Sequence, residues 1–493
     1  MVLFSHLIWW TYGLMCFLLF AYGINSYVLI ALFGRRKRLA LEDNKHRAEQ
    51  FTQKLDKGDA QWPRVLTQLP VYNELNVAER VIRAAVAMEY PEGLHEVQVL
   101  DDSTDETCGM IDKVVEELQA EGKNVRVVRR EDRVGFKAGA LNEGMHQSDA
   151  PLIAIFDSDF VPNPDFLLRS VPQIVEQPEV ALVQARWGHL NDDESWLTRS
   201  LSIGIDGHFA IEQPARAWNQ LYLNFNGTAG VWRREAIVDA GGWEADTLTE
   251  DMDLSYRAQM KGWRIHYLFD VAVPAELPNT FAAFKSQQFR WAKGSIQTAI
   301  KHLPRVIKSN VGTFKKVQSI FHLTHYYIHI CMLSLALLAL PLLFAQNAAP
   351  SPWVWIVISL PILLSTVGPS LLYVVSQFAI DPRVAWRKLR YLPGLILIGF
   401  GISLSNARAV VEALIGRKTE FVRTPKCGVS SLKKYKLPKN SLPWFEILLG
   451  AYCLFTLVLA LKLDRPALGP FILVYIIGYL TVGGCSLMET RRQ

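Results

Sequence analysis

The stretch from Ile153 to Phe160, "IAIFDSDF", places two carboxylates directly after an apolar run. Alternate side chains of a β-strand face the same way, so Asp157 and Asp159 point to one place if the run forms a strand. A buried charge is costly unless it is paired or bound to a cation. Two carboxylates on one face suit a hard divalent cation, which also takes substrate phosphates as ligands. The stretch therefore predicts a metal and diphosphate site at the end of a buried strand.

Five further apolar runs of strand length alternate with helical stretches between residues 62 and 270. They are "RVLTQLPVY", "EVQVLDDS", "VRVVRR", "VALVQARW" and "GWRIHYL". Strands that alternate with helices predict a mostly parallel, Rossmann-like α/β sheet. Ligands of such sheets bind beyond the carboxyl ends of the strands. The polar tails "NE" (73–74), "DDS" (101–103) and "DSD" (157–159) fall at those ends and mark a candidate site.

Two further motifs supply charged groups for chemistry on a phosphorylated substrate. Lys137, in "GFKAGALNEG", adds a positive point charge for phosphate, and its neighbouring glycines allow close backbone approach. The motif "TEDMDL" contains a candidate general base, because an alcohol acceptor must lose a proton as it attacks. We predict Asp251 as this base, with Glu250 as the alternative and Asp253 as a structural residue.

The motif "QQFRW" places Gln287, Arg290 and Trp291 at positions i, i+3 and i+4, on one helix face. Gln and Arg side chains hold sugar hydroxyls or phosphate, and a Trp ring forms an apolar platform for a pyranose. The motif directly precedes strongly apolar segments, which favours a functional role over that of an ordinary surface helix.

Three segments contain no Asp, Glu, Lys or Arg, namely 1–34, 317–380 and 466–488. A membrane-spanning helix needs about 20 apolar residues, so these segments predict an integral membrane protein. We expect five spans, near residues 7–33, 318–345, 352–378, 443–461 and 467–488. The segment 391–415 has basic runs on both sides, so we expect an interfacial or re-entrant helix there instead of a crossing.

The basic stretch "GRRKR" directly follows the first predicted span, which places the domain after it in the cytoplasm. The net charge is +5, and 416–440 alone carries eight Lys or Arg against one acid. This stretch is a topology signal beside anionic lipids or a contact for an anionic ligand. We expect no nucleic-acid partner, since no basic groove interleaved with aromatic residues is present. The six scattered cysteines imply neither disulfides nor a zinc site.

These observations divide the chain into seven predicted parts. They are an N-terminal transmembrane helix (1–34), a cytoplasmic linker (35–61), an α/β catalytic domain (62–274), amphipathic interfacial helices with the Gln-x-x-Arg-Trp motif (275–315), a transmembrane hairpin (316–380), an interfacial or re-entrant helix with a loop (381–440), and a second hairpin with a short tail (441–493).

The ordered set "QLPVYNE", "LDDSTDET", "KAGALNEGM", "FDSDF", "VQARW", "FNGTAGVWR", "TEDMDLSYR" and "QQFRWAKG" resembles the inverting family 2 glycosyltransferases. It is similar in particular to the cellulose-synthase-like enzymes, such as the plant type A mannan and glucomannan synthases and their bacterial relatives. The resemblance implies a GT-A domain inserted between transmembrane helices. It also implies a nucleotide-sugar donor, UDP-glucose or GDP-mannose, and a divalent cation, Mg²⁺ or Mn²⁺.

The resemblance assigns roles to the residues that match the family motifs. They are Glu74, Asp101 and Asp102 at the nucleoside, Asp157 and Asp159 at metal and diphosphate, Asp251 as base, Gln287, Arg290 and Trp291 at the diphosphate and acceptor end, and Asn226, Gly227 and Thr228 in the loop that faces the acceptor. The stretch "EFVRTPK" (420–426) is similar to a mobile loop over the donor, with Phe421, Thr424 and Lys426 at the matching positions. Arg423 stands where valine is usual.

The predicted function is processive synthesis of a β-linked hexose polymer of the β-1,4-glucan, mannan or glucomannan type, exported through the chain's own spans. An alternative is the transfer of one hexose to a membrane lipid, as in ceramide glucosyltransferases. A transporter with a nucleotide-binding domain predicts a GxxxxGK motif, which the sequence lacks. The expected location is the cell (inner) membrane in a bacterium or the Golgi membrane in a eukaryote.

Overall fold

The computed structural model describes residues 2–345, 352–417, 441–465 and 468–492. The predicted donor loop, with Phe421, Thr424 and Lys426, lies outside these ranges. The chain begins with one 55-residue helix, α1 (Val2–Asp56), which continues well past its apolar part. The first predicted span and most of the predicted linker therefore form a single helix.

A seven-stranded sheet forms the centre of the α/β domain. Its strands are β1 (Val65–Val71), β2 (His95–Asp101), β3 (Val125–Val128), β4 (Leu152–Ile155), β5 (Val180–His189), β6 (Gly230–Arg233) and β7 (Arg264–Ala275). The spatial order is β3-β2-β1-β4-β6-β5-β7. Only β6 pairs antiparallel, with β4 and with β5. The predicted mostly parallel sheet is thus confirmed, and β6 is the strand that the sequence pattern did not predict.

The helices of this domain cover both faces of the sheet. They are α2 (Ala78–Val86), α3 (Thr107–Ala120), α4 (Phe136–His146), α5 (Phe166–Val175), α6 (Trp196–Gly207), a π-helical turn (His208–Glu212), α7 (Gln213–Trp218), α8 (Arg234–Asp239) and α9 (Glu250–Met260).

The central strand β4 shows why the sheet forms here. All four of its residues are buried. Leu152 and Ala154 pack into one apolar layer, and Ile153 and Ile155 pack into the layer on the other face. Full burial of a large aliphatic side chain stabilises by about 1.5–3 kcal/mol. The strand is therefore fixed in register, and so is the position of the carboxylates that follow it.

All the regular secondary structure described after β7 is helical. Its helices are α10 (Phe281–Lys308), α11 (Thr313–Thr324), α12 (Tyr327–Phe344), α13 (Pro352–Ile380), α14 (Pro382–Leu389), α15 (Leu392–Gly401), α16 (Ser403–Leu414), α17 (Leu442–Lys462) and α18 (Gly469–Arg492). Among the described residues, α1, α12, α17 and α18 are long and apolar enough to cross a membrane. The predicted span 352–378 coincides with α13, which is 29 residues long.

Two predicted membrane segments differ from the helices in the structure. The predicted span 318–345 is interrupted between α11 and α12, where a ring nitrogen of His325 lies 2.8 Å from the backbone carbonyl oxygen of His322. The candidate span begins only at Tyr327. Within the segment 391–415, α15 and α16 bend by 47° at the break between them, so they form one broken span or a re-entrant pair. Our prediction that this segment does not cross the membrane remains a prediction.

The helix α10 is anchored to the last three helices by one carboxylate from each. Lys285 donates to Glu446 of α17 at 2.9 Å, and Lys293 donates to Glu412 of α16 at 3.1 Å. The Glu489 carboxylate of α18 accepts hydrogen bonds from the first two backbone amides of α10, at 2.9 and 3.1 Å. The side chains of Glu446 and Lys293 are fully buried. These contacts fix α10 relative to the apolar helices.

We predict that Lys285→Met destabilises the protein by about 3 kcal/mol, because it leaves the buried Glu446 carboxylate without its partner. The double substitution Lys285→Met with Glu446→Met should recover most of this loss, since a buried ion pair can be replaced by apolar side chains of similar volume. Thermal unfolding of the purified protein in detergent measures both effects.

The matched control is Lys308→Met, at the exposed C-terminal end of the same helix. It should change the stability by less than about 0.5 kcal/mol. A single Lys285→Met variant as stable as this control would show that the ion pair does not anchor α10.

Candidate active site

A cavity of about 660 Å³ lies at the carboxyl ends of β1, β4 and β5. Its described wall carries eight carboxylates and three Lys or Arg side chains. They are Glu74, Asp102, Asp157, Asp159, Asp246, Glu250, Asp251 and Glu276, against Arg133, Lys137 and Arg290. Cavities of this size hold small ligands, and the excess of negative charge favours a ligand that arrives with a cation.

Lys137 brings the two predicted carboxylate motifs into one site. Its ammonium donates to Asp157 Oδ1 at 2.5 Å and to the carbonyl oxygen of Gly227 at 2.8 Å. Gly227 has a φ of +79°, and a Cβ on it would lie 3.0 Å from Asp251 Oδ2 and 3.2 Å from Lys137 Nζ. Thr228 fixes Asp157 from below, because its hydroxyl accepts from the Asp157 backbone amide at 2.9 Å. The "DSD" and "TED" motifs therefore face each other across one lysine.

The pKa values of several charged groups in this cavity are shifted by burial and by neighbouring charges. Burial and the neighbouring Glu250 raise the pKa of Asp251 to about 8, while Lys137 opposes the shift. Burial also raises the pKa of Glu250. Burial alone would lower the pKa of Lys137, but Asp157, Glu250 and Asp251 outweigh it and leave this pKa raised. A carboxyl group with a raised pKa binds a proton readily near neutral pH, as a general base must.

The third carboxylate of "TEDMD" has a structural environment. Asp253 is fully buried and accepts from Arg257 at 2.8 Å and from His302 at 2.7 Å. Burial raises the pKa of Asp253, but hydrogen bonds from His302 and Lys301 outweigh this and lower it. The Lys301 ammonium also lies within 2.8 Å of Glu244 and Asp246. This acidic group, although it has the spacing of a metal site, is thus held by a lysine.

One face of α10 packs directly on the turn that carries the predicted base. A Cβ on Gly294 would lie 2.5 Å from Thr249 Cγ2, so only glycine fits this contact. The hydroxyls of Thr298 and Thr249 are 3.1 Å apart, and Gln297 accepts from the Leu248 backbone amide at 3.0 Å. The turn before Glu250 is therefore positioned by the helix of the Gln-x-x-Arg-Trp motif.

All three residues of that motif, Gln287, Arg290 and Trp291, line the cavity. Burial lowers the pKa of Arg290, although Glu250 and Asp157 oppose the shift. The ring of Trp291 lies 6.4 Å from that of Trp187, which stacks on Phe209 at 4.4 Å. Sequence reasoning did not assign Trp187 a role, although it ends the quoted motif "VQARW". The two indoles give this end of the cavity an apolar wall.

The opposite end of the cavity has an aromatic and cationic wall that the sequence did not predict. The guanidinium of Arg133 lies 3.3 Å from the centre of the Tyr72 ring and 5.2 Å from that of Phe136. The Asp102 carboxylate beside them accepts from Arg130 through both oxygens, at 3.0 and 2.5 Å. The available signals were an aromatic residue directly after β1 and the arginines after β3.

Two predicted binding residues lie behind the cavity wall. The side chain of Asp101 is fully buried and accepts from Arg129 at 2.9 Å and from the Ser103 backbone amide at 3.0 Å. Thr228 is likewise fully buried, under Asp157. These contacts support the wall, so any role of Asp101 and Thr228 in binding is indirect.

The remaining predicted residues that the structure describes line the cavity. Glu74 accepts a hydrogen bond from Ser158, which stands between Asp157 and Asp159. The Asn226 side-chain oxygen accepts from Asn224 at 3.1 Å. Asp157 and Asp159 offer carboxylate oxygens within a wall of net negative charge, so they fit a hard divalent cation.

Fold and cavity together define a class of protein, namely a glycosyltransferase with a GT-A-like domain flanked by helices apolar enough to span a membrane. The profile of the family described as "Glycosyltransferase like family 2" matches residues 63–294. Glucomannan 4-beta-mannosyltransferase 7 of Arabidopsis thaliana is 36% identical over 445 residues, which are 86% of this chain and 77% of that protein. The probable glucomannan 4-beta-mannosyltransferase 9 of Oryza sativa subsp. japonica is 37% identical over 436 residues, 84% of this chain and 78% of that protein.

Among solved structures, the mannosyltransferase PcManGT from Pyrobaculum calidifontis, in complex with GDP-Man and Mn²⁺, matches with 20% identity and a TM-score of 0.46. The match covers 80% of this chain and 99% of that one. At this level of likeness the donor and the metal of that protein do not transfer to this chain. On the identity and coverage of the plant relatives, the chain belongs to glycosyltransferase family 2 and to its cellulose-synthase-like members.

We predict that kcat/KM for the sugar donor rises with pH and has its midpoint near pH 8. The reason is that Asp251 accepts a proton only when it is ionised, and its pKa is raised to about 8. Glu250→Gln should lower the midpoint, since it removes the negative charge that helps to raise this pKa. Initial rates across a pH series in the purified protein measure both midpoints.

Glu235→Gln removes an exposed carboxylate outside the cavity and should leave the midpoint unchanged. If Glu250→Gln abolishes activity at every pH while Asp251→Asn retains it, then Glu250 is the base.

Proposed function

We propose that this chain transfers hexose from a nucleotide sugar to a growing β-linked polysaccharide, with inversion at the anomeric carbon. Mannose is the expected sugar, by likeness to the glucomannan 4-beta-mannosyltransferases of Arabidopsis and rice. The observation that carries the proposal is the junction at Lys137, where Asp157, Gly227 and Asp251 meet in one cavity. A diphosphate bound at Lys137 would lie beside a carboxylate with a raised pKa, as an attack on a nucleotide sugar requires.

The residues divide the cavity into a donor end and an acceptor end. The nucleoside would stack against the wall of Tyr72, Arg133 and Phe136, beside Asp102. The diphosphate would lie between Lys137 and Arg290, whose charges stabilise the leaving group as it develops charge. A divalent cation, held by Asp157 and Asp159, would add further positive charge at the same phosphates.

The acceptor sugar would lie against Trp187 and Trp291, near Gln287 and Asn226. Asp251 would take the proton of its hydroxyl as the oxygen attacks the anomeric carbon from the face opposite the diphosphate. One side-chain base suffices, and no covalent bond between sugar and enzyme forms. The turn beneath Asp251 is held by α10, so acceptor and base keep a fixed distance.

We also propose that the catalytic domain faces the cytoplasm and that the product leaves through the apolar helices. The basic stretch after the first candidate span supports this orientation. The expected membrane is the cell membrane in a bacterium or the Golgi membrane in a eukaryote.

We predict that GDP-mannose gives the fastest release of nucleotide diphosphate when each nucleotide sugar is offered in turn to the purified protein, with UDP-glucose as the competing donor. Asp251→Asn should lower the rate by about 10²–10⁴-fold, because general-base catalysis contributes this much. Glu235→Gln is the matched control and should retain the rate. A folded Asp251→Asn protein with near wild-type synthesis would refute the assignment of the base.

Sizing of the labelled product separates polymer synthesis from the alternative of lipid glycosylation. A ladder of long β-linked glycans supports the proposal. A single lipid-extractable monoglycoside would replace it with transfer to a membrane lipid.

We predict that a chelator such as EDTA abolishes activity and that Mg²⁺ or Mn²⁺ restores it. Asp157→Asn and Asp159→Asn should each raise the metal concentration needed for half-maximal rate, because each loses a charged ligand. Full activity after exhaustive chelation would show that Lys137 and Arg290 suffice for the diphosphate.

A further inference from the structure

A second cavity, of about 490 Å³, lies between α1, the segment 217–223, the start of β7 and α11. The net charge of its wall is opposite in sign to that of the catalytic cavity. Four cations line it, namely Arg36, Arg47, Arg264 and Lys315, against the single acid Asp43. We call it the basic cavity. Nothing in the glycosyl transfer described above uses it.

The positive charge of the basic cavity is only partly compensated within the protein. Burial and the nearby Arg264 lower the pKa of Lys315, and no carboxylate among the described residues opposes the shift. The Lys315 ammonium instead lies 4.1 Å from the centre of the Tyr222 ring. Arg47 reaches Asp43 at 3.9 Å, and Arg264 reaches Glu179 at 3.4 Å. A half-buried ammonium without a counter-charge is costly, and an anion in the cavity would offset that cost.

Two residues of the same wall also carry a buried polar atom that lacks a protein partner. Trp218 Nε1 and His266 Nε2 are inaccessible to solvent, and neither hydrogen-bonds to any described residue. An indole N–H can only donate. Burial, with a smaller effect of Arg47, lowers the pKa of His266 to about 3, so its ring is neutral at neutral pH and carries one N–H. Both atoms lie behind the surface that a ligand in the cavity would touch, so the case for a bound anion rests on the cations of the wall.

The basic cavity begins close to the end of one candidate span, the apolar part of α1. Arg36 is three residues beyond Phe33, at which the apolar part of α1 ends. Lys315 lies in the first turn of α11, which leads into the candidate span α12. Beside Lys315, α11 exposes Phe314, among other apolar side chains. Helices with an exposed apolar face next to a span lie at the membrane surface, where the phosphates of anionic lipids are found.

We propose that the basic cavity binds the phosphate-bearing headgroup of an anionic membrane lipid. Lys315, Arg36 and Arg264 provide charge-assisted hydrogen bonds to the phosphate oxygens. Trp218 and Tyr222 provide apolar surface for the glycerol part of the headgroup. A lipid is favoured over a soluble phosphate because Arg36 directly follows the apolar part of α1 and because α11 exposes apolar side chains beside Lys315.

The basic cavity shares two structural elements with the catalytic cavity. The segment Leu221–Leu223 lines the basic cavity, and Asn226 and Gly227, a few residues further on, line the catalytic one. The helix α9 begins at Glu250 and Asp251 and ends at the basic cavity, where the Gln259 side chain bonds both the amide and the carbonyl of Leu223. A bound headgroup would therefore contact the elements that hold the acceptor loop and the base.

The test measures the unfolding temperature of the full-length purified protein in detergent against added short-chain phosphatidylglycerol. A ligand that binds the folded state raises this temperature in a concentration-dependent way. Lys315→Gln should weaken the apparent affinity by at least about tenfold, the effect expected for the loss of one charge-assisted hydrogen bond. Arg264→Gln, at a half-exposed position, should act in the same direction. Unfolding temperatures without lipid show whether each variant folds.

The matched control is Lys316→Gln, which removes the same charge from the next residue of α11, outside the cavity wall. It should bind phosphatidylglycerol like the unmodified protein, and it accounts for general attraction of lipids to the basic stretch 416–440. Equal affinities of the Lys315→Gln and Lys316→Gln variants would overturn the proposal. Equal stabilisation by short-chain phosphatidylcholine would overturn anion recognition, and equal stabilisation by glycerol 3-phosphate would overturn the assignment to a lipid. The readout is binding alone, so it stands apart from the proposed sugar transfer.

Discussion

The position of α10 is the constraint on which the active site depends. One face of this helix carries Arg290 into the catalytic cavity and, a turn further on, presses Gly294 against Thr249 at the base of the "TED" turn. Elsewhere on the helix, α10 is held by carboxylates from three separate apolar helices. The helix α10 thus connects the charged groups of the cavity to the helices that are apolar enough to lie in a membrane. Any shift of α10 along its axis would move Arg290 and the turn before Glu250 together, because Arg290 belongs to the helix and the turn packs against it.

Charge separation is the second organising feature of the protein. The catalytic cavity concentrates carboxylates around Lys137, and burial together with the neighbouring Glu250 raises the pKa of Asp251 against the effect of this lysine. The basic cavity collects cations around a single aspartate at the far end of α9. Burial strengthens the electrostatic interactions in both cavities, since charges interact more strongly away from water. The helix α9 therefore connects the acidic catalytic cavity to the basic cavity.

Much of the catalytic wall follows from local sequence. Asp157, Asp159 and Glu74 come directly after strands, and the edge at which parallel strands end is shared, so their proximity could be predicted from alternation alone. Asp101 and Thr228 show the limit of that reasoning, because one residue of register decides whether a polar side chain faces the cavity or supports it from behind. The stack of Arg133 on Tyr72 and the pairing of Lys285 with Glu446 depend on contacts between distant parts of the chain. The sequence around a glutamate in an apolar helix does not indicate which residue pairs with it. The break between α11 and α12 was missed because hydropathy does not register where a helix is interrupted within an apolar segment.

The three carboxylate anchors of α10 also bear on how such enzymes can be recombined. Glu412, Glu446 and Glu489 belong to helices that contribute no group to the catalytic cavity among the described residues, yet each is matched to a specific lysine or amide of α10. A chimera that joins this catalytic domain, including α10, to the membrane helices of a relative would separate buried charged groups from their partners. The carboxylates and their partners on α10 must therefore be exchanged together. The junction of such a chimera should therefore lie before α10, so that α10 and the membrane helices come from the same protein.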